Sequence, residues 1–201
     1  MRNTGPKTRL ARRVGEPLRD KDAKYLVKRA YPPGMHGQSR RRLSEYGIQL
    51  LEKQKAKWIY GVSERQFRRY IETAGRKPGM TGVVLLEELE LRLDNVTYRL
   101  GFASSRAQAR QIVSHGFVTV NGKRLDIPSY AVKVGDAVAL AETKKAGKYT
   151  QLLTPKLREH KPLEWLALDA SAMSGKVLSR PTADNTASTL RMELIIEHYS
   201  R

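Results

Sequence analysis

The sequence predicts an α+β protein: an extended basic N-terminal arm, a mainly helical domain, and, inserted in it, a small module of two helices on a short antiparallel sheet. Three observations carry this prediction. Two stretches, opening at Ser63 and Ser105, pair a serine with a glutamine three residues on and then space apolar residues at helical intervals. An Asn121-Gly122 pair, the strongest two-residue hairpin signal, separates two short runs of strand composition. The charge is also segregated: residues 1–43 hold 13 Lys and Arg against 3 Asp and Glu, so ten of the eighteen net positive charges fall in the first fifth of the chain.

In chain order, the arm covers residues 1–43. Its chain-breaking Gly5-Pro6 and Pro32-Pro33-Gly34 and its lack of apolar periodicity predict that it forms no core of its own. It reads either as a solubilising tail or as a segment ordered only against phosphates. The helical domain opens over 44–90. Ser44 caps a first helix that ends at Gly61 and carries Ile48, Leu51, Trp58 and Ile59 on one flank, with Lys55 interrupting that flank. A second helix follows Ser63, with Phe67, Tyr70, Ile71 and Ala74 as its stripe and Gly75 at its end. Beyond it, Leu85, Leu89, Leu93, Val96 and Leu100 fall near one face and are core positions.

The module is expected over 91–155. Ser105 caps a helix with Ala109, Ile112 and Val113 inward and Gly116 at its end; Phe117 to Val120 then form a strand, Lys123-Arg124-Leu125 begin its return, and two short strands flank Gly135-Asp136. Residues 156–201 are expected to return to the helical domain. The tail residues Leu190, Leu194, Ile195 and Ile196 are too apolar for a free end and should pack on the helices of residues 44–90.

A chain of 201 residues, 40% hydrophobic, can bury real cores, and a net charge of +18 favours a polyanionic partner, with nucleic acid first. No segment approaches the ~18 consecutive apolar residues of a membrane span, and the first residues lack a signal-peptide core, so a cytoplasmic, soluble protein with no membrane partner is expected. The absence of cysteine excludes disulfides, thiol catalysis and cysteine-ligated zinc. His36, His115, His160 and His198 show no metal-ligand or triad spacing, and no phosphate-cradling or dinucleotide glycine motif occurs. No cofactor and no metal are expected.

The candidate RNA-binding residues follow the charge. In the arm they are Arg2, Lys7, Arg9, Arg12, Arg13, His36, Arg40, Arg41 and Arg42; on the first helix Lys53, Lys55 and Lys57; on the second Arg65, Arg68 and Arg69; in the module Arg106, Arg110, His115, Lys123 and Arg124. For any single one of these, a merely solvated helix face remains the alternative. Arg106 and Arg110, one turn apart beside the apolar face, are expected to reach phosphates without disturbing the folded module.

The pattern of a serine-capped Arg-x-x-Ala-Arg helix followed by Gly-aromatic-Val-x-Val-Asn-Gly resembles the RNA-binding module named after small-subunit ribosomal protein four. Outside it, "LSEYGIQLLEKQKAKWIYGVSERQFRRY", "PPGMHG", "RLDNVTYRLGF" and the terminal "LIIEHYSR" resemble segments of that ribosomal protein family itself, so the resemblance spans nearly the whole chain and is weakest over 143–187. It implies a primary binder of small-subunit (16S) ribosomal RNA that helps nucleate assembly of the subunit body. It further implies a contact with neighbouring ribosomal protein five, a place near the channel through which messenger RNA enters, and an influence on translational accuracy. Some family members carry zinc-ligating cysteines in the arm; Thr8 and Ala11 stand at two such positions here, which implies a metal-free variant. Met35 in "PPGMHG" replaces an expected glutamine.

Two alternatives come from other classes. The module is also appended to RNA-modifying enzymes, and "RLDNVTYRLG" mimics the string around a catalytic aspartate of some pseudouridine synthases, which would make Asp94 a nucleophile or base. The mimic's Gly and Leu are transposed as Leu100-Gly101, and no large catalytic domain accompanies it. A free RNA chaperone carrying the module would not need the flanking helical segments.

Overall fold

The computed structural model describes residues 5–38, 42–182, 185–186 and 189–200. Arg2, Arg40 and Arg41 lie outside the described residues. The chain divides into two compact units, residues 1–82 with 189–201 and residues 83–188. The return to the first unit therefore falls at 189 rather than 156, because two further strands between those positions belong to the second unit's sheet.

In the first unit, α1 (Lys7–Val14) and α2 (Ala23–Lys28) form within the stretch expected to be an extended basic arm. Gly15 adopts a left-handed conformation and its N–H closes α1 on Ala11 O at 2.8 Å, and Arg19 grips the buried Asp22 at 2.6 Å. Ala11 is the one buried apolar side chain among the described residues of the arm. Then come α3 (Glu45–Tyr60) and α4 (Glu64–Arg76), whose capping serines Ser44 and Ser63 accept from the N–H of Gly47 and Gln66. Helix α4 continues through Gly75 to a cap at Lys77, one turn-end later than the glycine suggested.

The buried face of α3 differs from the expected flank. Ile48 is exposed, while Gln49, Lys53, Lys55, Ala56 and Tyr60 are buried; the lysines tolerate burial because each meets oxygen acceptors, as described below. Helix α10 (Met192–Tyr199) packs against α3, with Ile195 fully buried and Gln49 Nε2 donating to Glu197 at 3.0 Å. The tail is held as its apolar residues required.

The run of leucines is two helices, α5 (Thr81–Glu90), whose residues belong to the second unit from Val83 on, and α6 (Leu93–Arg99), broken where Arg92 bridges to Ala131; Leu85, Leu89, Leu93, Val96 and Leu100 are all fully buried. Helix α7 (Arg106–Ser114) follows its Ser105 cap with Ala109, Ile112 and Val113 inward. The hairpin of β1 (Val118–Val120) and β2 (Lys123–Arg124) turns through Asn121 at φ 49 and Gly122 at φ 80, the two positive values a tight primed turn demands.

Strand β3 (Ala137–Leu140) pairs with β1, whereas the other expected strand, before Gly135, is reduced to the single bridge at Ala131. Next are α8 (Glu142–Lys145), α9 (Lys148–Glu159), β4 (Leu166–Asp169) and β5 (Ser174–Val177). The sheet is wholly antiparallel in the order β2-β1-β3-β5-β4. One face carries Val118, Val120, Val138, Leu140, Leu166 and Val177 into a core shared with α6, α7, α9 and Trp165. Gly175 lets the sheet meet α6: a Cβ there would stand 2.4 Å from Leu100 Cδ2. Among the described residues no helix is long and apolar enough to cross a membrane.

Candidate nucleic-acid interface

In the first unit the basic side chains sort into outward and inward sets. Helix α1 exposes Arg9 and Arg13, one turn apart. Arg12 turns inward: its Nε donates to Tyr31 O at 3.1 Å and its guanidinium lies 4.9 Å from the Tyr31 ring centre. Lys7 is half-buried, and His36 and Arg42 are exposed in the connection to α3.

The three lysines of α3 are inward-tied and correct the sequence reading. Lys53 donates to Glu64 at 3.2 Å and Lys57 bonds the other oxygen of the same carboxylate. Lys55, 2% exposed, donates to Thr189 O at 2.8 Å and pairs with Glu16 at 2.7 Å. These ammonium groups hold the fold and present no cationic face. Glu64 gathers Lys53, Lys57 and the Tyr199 hydroxyl; burial pushes its carboxyl up, but the hydrogen bonds from Lys57, Tyr199 and Lys53 outweigh this and bring it down to about 2. The Tyr199 phenol is pushed up, first by burial and then by its bond to Glu64.

Helix α4 does the opposite. Arg65, Arg68 and Arg69 are exposed, Arg68 closing on Glu72 at 3.1 Å. Arg76 and Lys77, exposed at the end of the same helix, prolong this basic surface. In the sequence these two stand in "GRKPG", whose Gly and Pro have turn composition, although Arg76 follows Arg65 and Arg69 at helical spacing.

In the second unit Arg106 and Arg110 are half-buried and committed to carboxylates. Glu90, fully buried, accepts a two-point grip from Arg99 at 3.0 and 2.8 Å and a bond from Asn95 Nδ2 at 2.7 Å. Arg106 donates through Nε to Asn95 Oδ1 at 2.7 Å, approaches Glu90 at 3.9 Å, and lies over the Tyr98 ring. Asp94 is gripped by Arg92 at 3.0 and 2.7 Å and paired with Arg110 at 3.2 Å. A carboxylate so enclosed serves as a structural counter-ion to Arg92 and Arg110.

His115 is exposed where α7 ends, and Lys123 and Arg124 are exposed on the returning strand of the hairpin, where they alternate to opposite faces. The Arg124 side chain lies across Gly116 and donates to His115 O at 3.4 Å; a Cβ on Gly116, at φ +66, would stand 2.1 Å from Arg124 Nε. The left-handed backbone is what calls for glycine there, since the Arg124 guanidinium is the mobile end of an exposed side chain.

A helical unit with an exposed arginine row and a helix-on-sheet module with a basic hairpin together define a two-part protein suited to binding a phosphate backbone. Residues 2–90 match the family model of the ribosomal protein S4/S9 N-terminal domain, and residues 91–138 match that of the S4 domain. The chain is 51% identical over 206 residues to small ribosomal subunit protein uS4A of Symbiobacterium thermophilum. It is 49% identical over 204 residues to uS4 of Roseiflexus castenholzii and 49% identical over 203 residues to uS4 of Parabacteroides distasonis. In each pairing 100% of this chain and 99% of the relative are covered. The chain belongs to the small ribosomal subunit protein uS4 family.

Proposed function

We propose that this chain is a structural constituent of the small ribosomal subunit and binds 16S ribosomal RNA through two basic surfaces. The first unit contributes Arg9 and Arg13 of α1, Arg65, Arg68, Arg69 and Arg76 of α4 and Lys77 at its cap; the second contributes His115, Lys123 and Arg124. The observation that carries this reading is the full-length similarity to proteins named uS4. The physical support is the outward row of α4, where Arg65 and Arg69 stand about 6 Å apart on successive turns and can engage one backbone strand together. From the family resemblance, the chain docks early and helps nucleate the subunit body, contacts ribosomal protein five, lies near the incoming messenger RNA, influences translational accuracy, and acts in the cytoplasm without catalysing a reaction.

The test is a filter-binding titration of 16S RNA fragments against salt, with wild type and R65E/R69E. Wild type should lose affinity steeply as salt rises, and the double reversal should weaken binding about tenfold or more while the melt stays within about 0.5 kcal/mol. Salt-independent binding, or a double variant that binds like wild type, overturns the reading.

A further inference from the structure

Lys55 closes three distant segments of the first unit with one ammonium group. Its Nζ meets Glu16 Oε2 at 2.7 Å just beyond α1, Thr189 O at 2.8 Å where the chain comes back, and Glu52 Oε1 at 3.5 Å on its own helix. The same Glu52 oxygen accepts the backbone N–H of Arg191 at 2.9 Å. An ammonium has three donors, and three oxygens surround it. Apolar burial holds helix α1 only weakly, since Ala11 is small and Leu10 and Val14 are only partly buried. Arg12 on Tyr31 and Arg19 on Asp22 bond within the arm itself. The Glu16–Lys55 pair instead joins the arm to α3.

We infer that the Glu16–Lys55 pair is a positioning device for RNA binding: it holds α1 against α3 so that Arg9 and Arg13 meet the RNA at the same time as the α4 row. This rests on the RNA reading above. Lys55 and Glu16 touch no RNA in this scheme and act through the α1 arginines.

The experiment uses E16A, because electrostatics and positioning then predict opposite signs. Removing a negative charge from a protein that binds a polyanion should tighten binding on charge alone. Loss of positioning should weaken it, by about threefold or more, and lower the log-log salt slope by about two, one for each arginine released. Glu16 is half-exposed and Lys55 keeps Thr189 O and Glu52, so the variant folds, which a thermal melt verifies. The companion comparison adds E16A to R9Q/R13Q, where no further loss of affinity is expected because nothing remains to be positioned. Amide exchange over 7–14 should quicken in E16A.

Unchanged or tighter RNA binding by E16A overturns the inference, as does a loss that simply adds to that of R9Q/R13Q. Wild-type binding that ignores salt would instead defeat the underlying RNA reading, so the two failures are distinguishable.

Discussion

Reversing Arg106 and Arg110 together to glutamate separates two accounts of the module. If these side chains only decorate α7, the double variant folds normally and loses RNA affinity. The structure requires a different result. Arg106 sits 3.9 Å from the fully buried Glu90 and bonds Asn95, and Arg110 sits 3.2 Å from the buried Asp94. Breaking a buried pair commonly costs about 3–5 kcal/mol. Here the loss is smaller at each site, because Glu90 keeps Arg99, Asp94 keeps Arg92, and the incoming carboxylates are partly solvated. Taking about 1.5 kcal/mol per reversal gives about 3 kcal/mol in all, a fall in Tm of roughly 12–24 °C for a unit of about 100 residues. Trp165 is fully buried in this unit, so its fluorescence in a W58F background reports the melt of the module selectively. R106Q/R110Q, which abolishes attraction without adding repulsion, should fall about halfway. A double reversal that melts within about 0.5 kcal/mol of wild type would refute the assignment of these arginines to the carboxylates.

Three further outcomes are expected. The folded Glu64 carboxyl, at about 2, lies below its ordinary 4.5, so the stability it contributes is complete above the ordinary value and is lost as pH falls from there through about 2; E64Q should flatten that acid limb in pH-dependent melts, and an unchanged limb would mean that Glu64 does not anchor Tyr199 and the lysines. Deleting residues 190–201 removes the fully buried Ile195 and the Tyr199 bond to Glu64, and should lower the melt of the first unit while leaving Trp165 fluorescence unaltered. Adding EDTA in magnesium-replete buffer should change neither the melt nor RNA binding, since Thr8 and Ala11 offer no thiolate; loss of either on chelation would reveal a metal site.

What could be read in the sequence was local. Ser44, Ser63 and Ser105 announce their helices because a cap joins groups three residues apart, and Asn121-Gly122 announces its turn because positive φ is a property of those residues. The leucine spacing from Leu85 to Leu100 likewise marked a core, although the break at Arg92 was invisible, since it depends on a bridge to Ala131. The candidate site was legible where side chains meet solvent, as on α4, and illegible where they meet partners far along the chain. Lys55 looked like an available cation because Thr189, 134 positions away, leaves no mark near it. Arg106 and Arg110 looked free for the same reason, their carboxylates standing on the preceding helices. Strands β4 and β5 escaped notice because two four-residue strands acquire meaning only beside β3.

The strand order β2-β1-β3-β5-β4 also sets a timetable for synthesis. The hairpin and β3 are made first, and β3 then waits with one edge unpaired until β5, which must lie beside it, has been added. At translation rates of about 5–20 residues per second, the stretch from Leu140 to Val177 takes on the order of a few seconds. For that interval the nascent module exposes a strand edge able to recruit any other extended chain. The first unit waits longer, since α10 is made last and packs on α3, among the earlier elements to appear. A chain stalled before residue 190 would therefore carry a complete module beside an unfinished helical unit, and ribosome-bound intermediates of increasing length should gain protease resistance in that order.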